Sequence, residues 1–174
     1  MNLILLGGNG VENKMWIEKI ETTLKPLFST TYIQYYMHWQ KGGEMVDINL
    51  EANKLSSYAK DIREYVIFAK SAGILITAKA VHDNALRPVK CIFTGIPISW
   101  AISKGFDISN WFEGFKDTSL VIQHNEDPFA SSKNVSEFIT KENMINTNLV
   151  ELPGNTHDYL EYDRIKKIVA DFVY

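Results

Sequence analysis

Apolar and polar positions along this chain alternate between two periods. "NLILLGG" is a short apolar run closed by glycines. In "WIEKIETTLKPLF" the residues Trp16, Ile17, Ile20, Leu24 and Leu27 recur near helical spacing. The β-branched and aromatic stretch "TTYIQYYMHW" favours a strand, after which "INLEANKLSSYAKDI" reads as a helix, "YVIFA" as a strand and "AGILITAKAVHD" as a helix. "PVKCIFTGI" and "SLVIQH" supply the fourth and fifth strands and "SKNVSEFITKE" a polar helix. "TNLVELPG" is the last strand and "YDRIKKIVADFVY" a closing amphipathic helix. Alternation of this kind predicts βαβ units: an α/β chain with about six mostly parallel strands and helices on both faces, in three αβα layers. Three of the strands are continuous apolar runs, as expected where helices cover both sheet faces. No repeat, low-complexity segment or linker divides the sequence, so one domain over residues 1–174 is expected.

In such a sheet ligands gather beyond the C-terminal ends of the strands, where loops turn into helices. Those loops carry Gly7-Gly8-Asn9-Gly10, Ser71-Ala72-Gly73, His124-Asn125-Glu126-Asp127-Pro128 and Gly154-Asn155-Thr156-His157. A hydroxyl, an acid and an imidazole are therefore expected at the same end of the sheet. Serine is a poor nucleophile until an imidazole takes its proton, and a carboxylate must hold that imidazole in the correct tautomer. The serine must also stand clear of the sheet on a sharp strand-to-helix turn, which demands small neighbours two places before and after it. Ala69 and Gly73 meet that demand around Ser71.

These residues resemble the α/β-hydrolase superfamily. Its nucleophile elbow, Gly-x-Ser-x-Gly, appears here as Ala69-Lys70-Ser71-Ala72-Gly73, with alanine at the first small position, and its triad order of serine, acid and histidine is matched by Ser71, Asp127 and His157. The resemblance implies a small serine hydrolase of carboxyl esters, thioesters or small amides. It needs neither metal nor organic cofactor and takes a small-molecule acyl substrate. The oxyanion would be held by the backbone N–H groups of Asn9 and Ala72, where Gly7 stands in place of the family's histidine. The chain looks like a trimmed, six-stranded version of the core with only a short loop-plus-helix unit where larger members insert a lid. Trp100, Phe106, Trp111, Phe112 and Phe115 in that unit are expected to pack on the sheet rather than wall an acyl pocket.

Plainer roles compete at each position. Ser71 could simply cap the following helix, His157 could be a surface histidine, and Glu126 rivals Asp127 as the acid. Lys70 is expected to point outward from the turn. His38, His82 and His124 are expected to be structural or exposed, since their scatter lacks metal-ligand spacing. A hydrolase-like scaffold that only binds a partner is the alternative from another class.

Composition narrows the surroundings. A net charge of -3 offers no basic field for nucleic acid. The lone Cys91 lies inside an apolar run and reads as a buried small hydrophobe. No stretch reaches the ~18 apolar residues of a membrane span. The opening "MNLILLGG" lacks the basic start of a signal peptide, so a cytoplasmic location is expected. "GNG" begins a dinucleotide fingerprint, but its third glycine position holds Asn13, and "AKS" lacks the glycines of a P-loop. Protein partners and oligomeric state leave no mark in the sequence.

Overall fold

The computed structural model describes residues 1–43 and 45–174. Strands form at β1 (Asn2–Leu6), β2 (Thr30–Ile33), β3 (Tyr65–Lys70), β4 (Lys90–Thr94), β5 (Ser119–His124) and β6 (Thr147–Leu152). They make one sheet in the order β2-β1-β3-β4-β5-β6 with every neighbouring pair parallel. The expected α/β architecture is therefore present, with the wholly buried β3 near its centre.

Parallel strands require crossovers, and helices supply them: α1 (Asn13–Leu24), α2 (Met37–Lys41), α3 (Ile48–Ala59), α4 (Ala72–His82), α5 (Ile98–Ser103), α6 (Ile108–Phe112) and α7 (Ser132–Lys141), with α8 (Tyr162–Val173) following the last strand. Period-two alternation in the strands divides the core into two layers. Leu3, Leu5, Val66, Phe68, Ile92 and Ile122 face α1 and α8, where Trp16, Ile17, Ile20, Ile165 and Val169 meet them. Ile4, Leu6, Ile67, Ala69, Phe93 and Val121 face α3, α4, α6 and α7. Strand β3 is buried along its whole length, which explains why its sequence shows no polar alternation.

Two local outcomes differ from the sequence reading. The stretch "TTYIQYYMHW" was expected as one strand, but β2 ends at Ile33 and Met37–Lys41 is helical. Strand β2 is an edge strand paired with β1 alone, and the last backbone bond between them runs from the Gln34 amide to the Leu5 carbonyl. Once β1 turns away there is no ladder to continue. Tyr36 instead buries its ring and donates its hydroxyl to the Gly7 carbonyl at 2.8 Å, while the Met37 amide, opening α2, donates to Glu51 Oε1 at 2.9 Å. The second difference concerns Lys70, treated below with the site.

The aromatic segment between β4 and β5 packs on the sheet as expected. Phe112 and Phe115 are buried and meet Phe93 with ring centroids 5.8 and 5.9 Å apart. Trp100, Phe106 and Trp111 lie partly buried against the same layer. Among the described residues no helix is long and apolar enough to cross a membrane.

Candidate active site

Ser71 lies between the last residue of β3 and the first of α4. Its backbone angles are φ 52° and ψ −117°, a region non-glycine residues rarely occupy, and its side chain makes no capping bond to α4. A plain helix cap has ordinary extended angles and accepts from the first turn, so the geometry excludes that role. The turn is held by its neighbours: the Ser71 amide donates to the Thr94 carbonyl at 3.3 Å, the Gly73 amide to Gly7 at 3.0 Å and the Ile74 amide to Ser71 at 2.9 Å. A Cβ on Gly73 would come within 2.9 Å of two backbone oxygens and 2.7 Å of the Leu6 Cβ, which is why this place tolerates only glycine. The Ala72 amide opens α4, where first-turn amides have no intrahelical acceptor.

The acid and the imidazole come together. Asp127, in the loop after β5, is buried, and its Oδ2 accepts from Nδ1–H of His157 at 2.7 Å. Its Oδ1 accepts from the Phe129 amide at 2.8 Å. Glu126 is exposed on the other side of the same turn, so Asp127 is the carboxylate that meets His157. Burial alone would raise the Asp127 carboxyl, but the hydrogen bond and charge of His157, the Tyr159 hydroxyl and the Phe129 amide together hold it below the ordinary carboxylate range. The opposite nitrogen of the ring, Nε2, is buried and has no hydrogen-bond partner among the described residues. The structure thus joins Asp127 to His157, whereas no hydrogen bond links His157 to Ser71. Each neighbours the end of β4: the Ser71 amide bonds Thr94, and the His157 ring lies against the next residue, Gly95.

Sequence reasoning missed two supports of this arrangement. Tyr159 donates its hydroxyl to Asp127 Oδ2 at 2.7 Å and accepts from the His124 amide at 3.1 Å. Desolvation and the adjacent carboxylate push its own pKa far up, so it acts as a permanent donor. Its spacing from His157 carries no signature that a sequence could reveal. Gly95, at φ 70°, leaves room for the rings: a Cβ there would sit 2.7 Å from Tyr159 Cε2 and 2.8 Å from His157 Cε1. Its signal is a glycine directly after a strand, in "TGIP". Gly95→Ala combines left-handed backbone strain of ~1–2 kcal/mol with that clash. It should lower the thermal midpoint by roughly 3–8 °C, read by a melting curve, and displace His157.

Behind β1 the loop Gly7–Gly10 is held from several directions. The Asn9 carbonyl accepts from His38 Nε2 at 2.6 Å and Trp39 Nε1 at 2.9 Å, and Asn9 Oδ1 accepts from the Val46 amide at 2.8 Å. Trp39 also fills the space beside Gly7, where a Cβ would come within 2.9 Å of its ring. His38 and Trp39 of α2 and the Val46 amide thus hold Asn9 without a side chain at position 7. Of the remaining histidines, His124 is buried and stacks on Tyr159 at 4.1 Å, and His82 is exposed; both are consistent with non-catalytic roles.

Lys70 does not point outward. As the next residue after Val66 and Phe68 on one face of β3, it enters the layer under α1, with only 5% of its surface exposed. Nζ donates to Asn13 Oδ1 at 2.9 Å and lies 4.7 Å from the centre of the Trp16 ring. Desolvation lowers its pKa to about 8, against the opposing pull of Asp158, Glu12 and Asp127. The period of the strand was the available signal, and the local turn reading overrode it.

No protein-family model matches the sequence, and no curated protein matches it. Solved structures do resemble it. A cold-adapted esterase from an Arctic intertidal metagenomic library superposes with a TM-score of 0.71 at 14% identity, over 99% of this chain and 80% of that one. A monoacylglycerol lipase from Paleococcus ferrophilus gives 0.74 at 10% identity, over 99% and 93%. A Xanthomonas campestris protein assigned to the α/β superfamily of hydrolases gives 0.70 at 13% identity, over 98% and 95%. Identities this low carry the fold and nothing finer, but the fold is matched along nearly the whole chain. The chain therefore has the three-layer α/β fold that these esterase, lipase and hydrolase structures share.

Proposed function

We propose that this chain is a serine hydrolase of small carboxyl esters, thioesters or amides. The observation that carries the reading is the His157 ring: one nitrogen is committed to Asp127 at 2.7 Å and the other is buried and unspent, at the strand end that Ser71 also reaches. An imidazole held in one tautomer by a carboxylate, with its second nitrogen free, is the arrangement a general base requires. Nucleophile–base hydrogen bonds are commonly long before substrate arrives and tighten in the complex.

In the proposed reaction Ser71 Oγ attacks the substrate carbonyl as His157 Nε2 takes its proton. The backbone amides of Asn9 and Ala72 stabilise the oxyanion, and Asp127 stabilises the charged imidazole. His157 then gives the proton to the departing alcohol, thiol or amine. Water, activated by the same nitrogen, releases the acyl group and restores Ser71. Esterase and lipase neighbours of the same fold support this chemistry class. A groove of about 470 Å³, apolar along Ile98, Ile102 and Phe138 and rimmed by Glu137 and Lys141, supports an acyl group with an apolar portion, since Phe129 in its lining also meets the His157 ring edge-on at 4.6 Å.

A pre-steady-state test distinguishes enzyme from scaffold. With a nitrophenyl ester of a short acyl chain, the protein should release a burst of nitrophenolate that approaches one equivalent per chain, because an acyl-enzyme accumulates before water removes it. Release no faster than in buffer would leave only a binding scaffold.

A further inference from the structure

Lys70 and Asn13 form a clamp between the turn that carries Ser71 and the loop that would carry the oxyanion donor. Asn13 Nδ2 donates to the Gly10 carbonyl at 3.1 Å, and the Asn13 amide donates to the same oxygen at 3.0 Å. Its side chain also packs on Gly8, where a Cβ would lie 2.6 Å from Oδ1. An amide side chain can be flipped with little change in shape, exchanging donor for acceptor. Here the Lys70 ammonium, on Oδ1, and Glu12 Oε1, which accepts from Nδ2 at 3.3 Å, together fix the orientation in which Nδ2 faces Gly10. Both residues are buried, at 5% and 7% exposure, and Lys70 immediately precedes Ser71 in the chain.

We propose that Lys70 is a positioning residue of the hydrolytic site: through Asn13 it holds the Gly7–Gly10 loop so that its backbone amide is in place for the oxyanion. This rests on the serine-hydrolase reading above. The chemistry favours a functional reason for the lysine over a packing one. Burying an ammonium costs stability that a methionine of similar length would not, so its retention at the residue before Ser71 calls for something the charge does. The charge matters because a charge-assisted hydrogen bond is about twice as strong as a neutral one. The charges that act on Nζ are those of Asp158 in the loop after β6, Glu12 at the start of α1 and Asp127 in the loop after β5, with the Trp16 ring beneath it. They partly offset the desolvation that brings the ammonium down to about 8, so the clamp weakens just above neutral pH.

A donor used only in the transition state shows in kcat rather than KM. Losing such a donor altogether costs ~100-fold or more, so a loosened one should cost on the order of 10-fold. The test measures ester turnover, with spontaneous hydrolysis subtracted, from neutral pH through the range above 8 for the wild type, Lys70→Met, Lys70→Arg and Asn13→Asp. Folding of each is checked by circular dichroism. Lys70→Met should lose roughly 10-fold or more in kcat with KM little changed. Asn13→Asp keeps the acceptor for Lys70 but loses the donor to Gly10, and should show the same kcat loss. Wild-type kcat should decline as pH rises through about 8. Lys70→Arg should keep most of the activity and remove that decline, because a guanidinium stays charged. The adjoining cavity of about 300 Å³, lined by Trp16, Met15, Leu160 and Tyr162, gives it space. Unchanged kcat in folded Lys70→Met, or an alkaline decline that Lys70→Arg leaves in place, overturns the assignment. If the wild type itself turns over no ester and takes no fluorophosphonate on Ser71, the underlying hydrolase reading fails. An active wild type matched by Lys70→Met removes the Lys70 role alone.

Discussion

Replacing Ser71 with alanine will lower turnover of a short-chain nitrophenyl ester by on the order of 10⁴–10⁶-fold while leaving the chain folded. The two halves of that expectation have separate physical grounds. In the proposed mechanism activity falls because the hydroxyl is the only group removed and supplies the attacking oxygen; the oxyanion donors and the pocket alone would retain a small residue of catalysis. Stability holds because the hydroxyl makes no capping bond to α4. Alanine also keeps the same Cβ in the same backbone region, so the change should stay within about 0.5 kcal/mol. A folded variant with wild-type turnover would place the chemistry elsewhere.

Asp127→Asn carries the second largest effect, a loss of roughly 10³–10⁴-fold in kcat, with Glu126→Gln close to wild type. Asparagine preserves the shape of the side chain but can present its NH₂ to the His157 ring, selecting the tautomer in which Nε2 carries the proton and cannot accept one. Glu126 is exposed, and the His157 Nδ1 bond goes to Asp127 instead. The pH dependence follows from the lowered Asp127 carboxyl. As pH falls from neutral, the unfolded chain takes up this proton first, so the folded state loses stability progressively down to the lowered value of the native carboxyl. The contribution is thus present above the ordinary carboxylate range and lost in acid. Thermal melts of wild type and Asp127→Asn, followed from neutral pH into acid, should converge as Asp127 is protonated. Equal turnover losses in the Asp127 and Glu126 variants would contradict the assignment of the acid.

Much of this organisation was legible in the amino-acid order, for reasons that differ between elements. The buried strands "YVIFA" and "SLVIQH" could be read because a parallel sheet covered on both faces tolerates few polar residues. The placement of Ser71, Asp127 and His157 at one end of the sheet could be read because parallel strands deliver the C-terminal ends of β3, β5 and β6 to the same side. What failed were features set by distant packing. Tyr36, His38 and Trp39 have strand-forming side chains, but the end of β1 removes their pairing partner and the Gly7–Asn9 carbonyls recruit them as donors. Lys70 has the polarity of a surface residue, yet Asn13 and Trp16 provide a buried place for it. Tyr159 gains its role only through the fold that sets it against Asp127.

In the proposed mechanism the Ser71 oxygen is the atom that becomes covalently bonded to substrate. Incubation with a fluorophosphonate, digestion and mass spectrometry of the peptides tests it without assuming a natural substrate. The predicted result is a single adduct on Ser71 that His157→Ala abolishes, since the hydroxyl then has no base. Intact protein that stays unmodified, or carries the phosphonyl group on another residue, would contradict it.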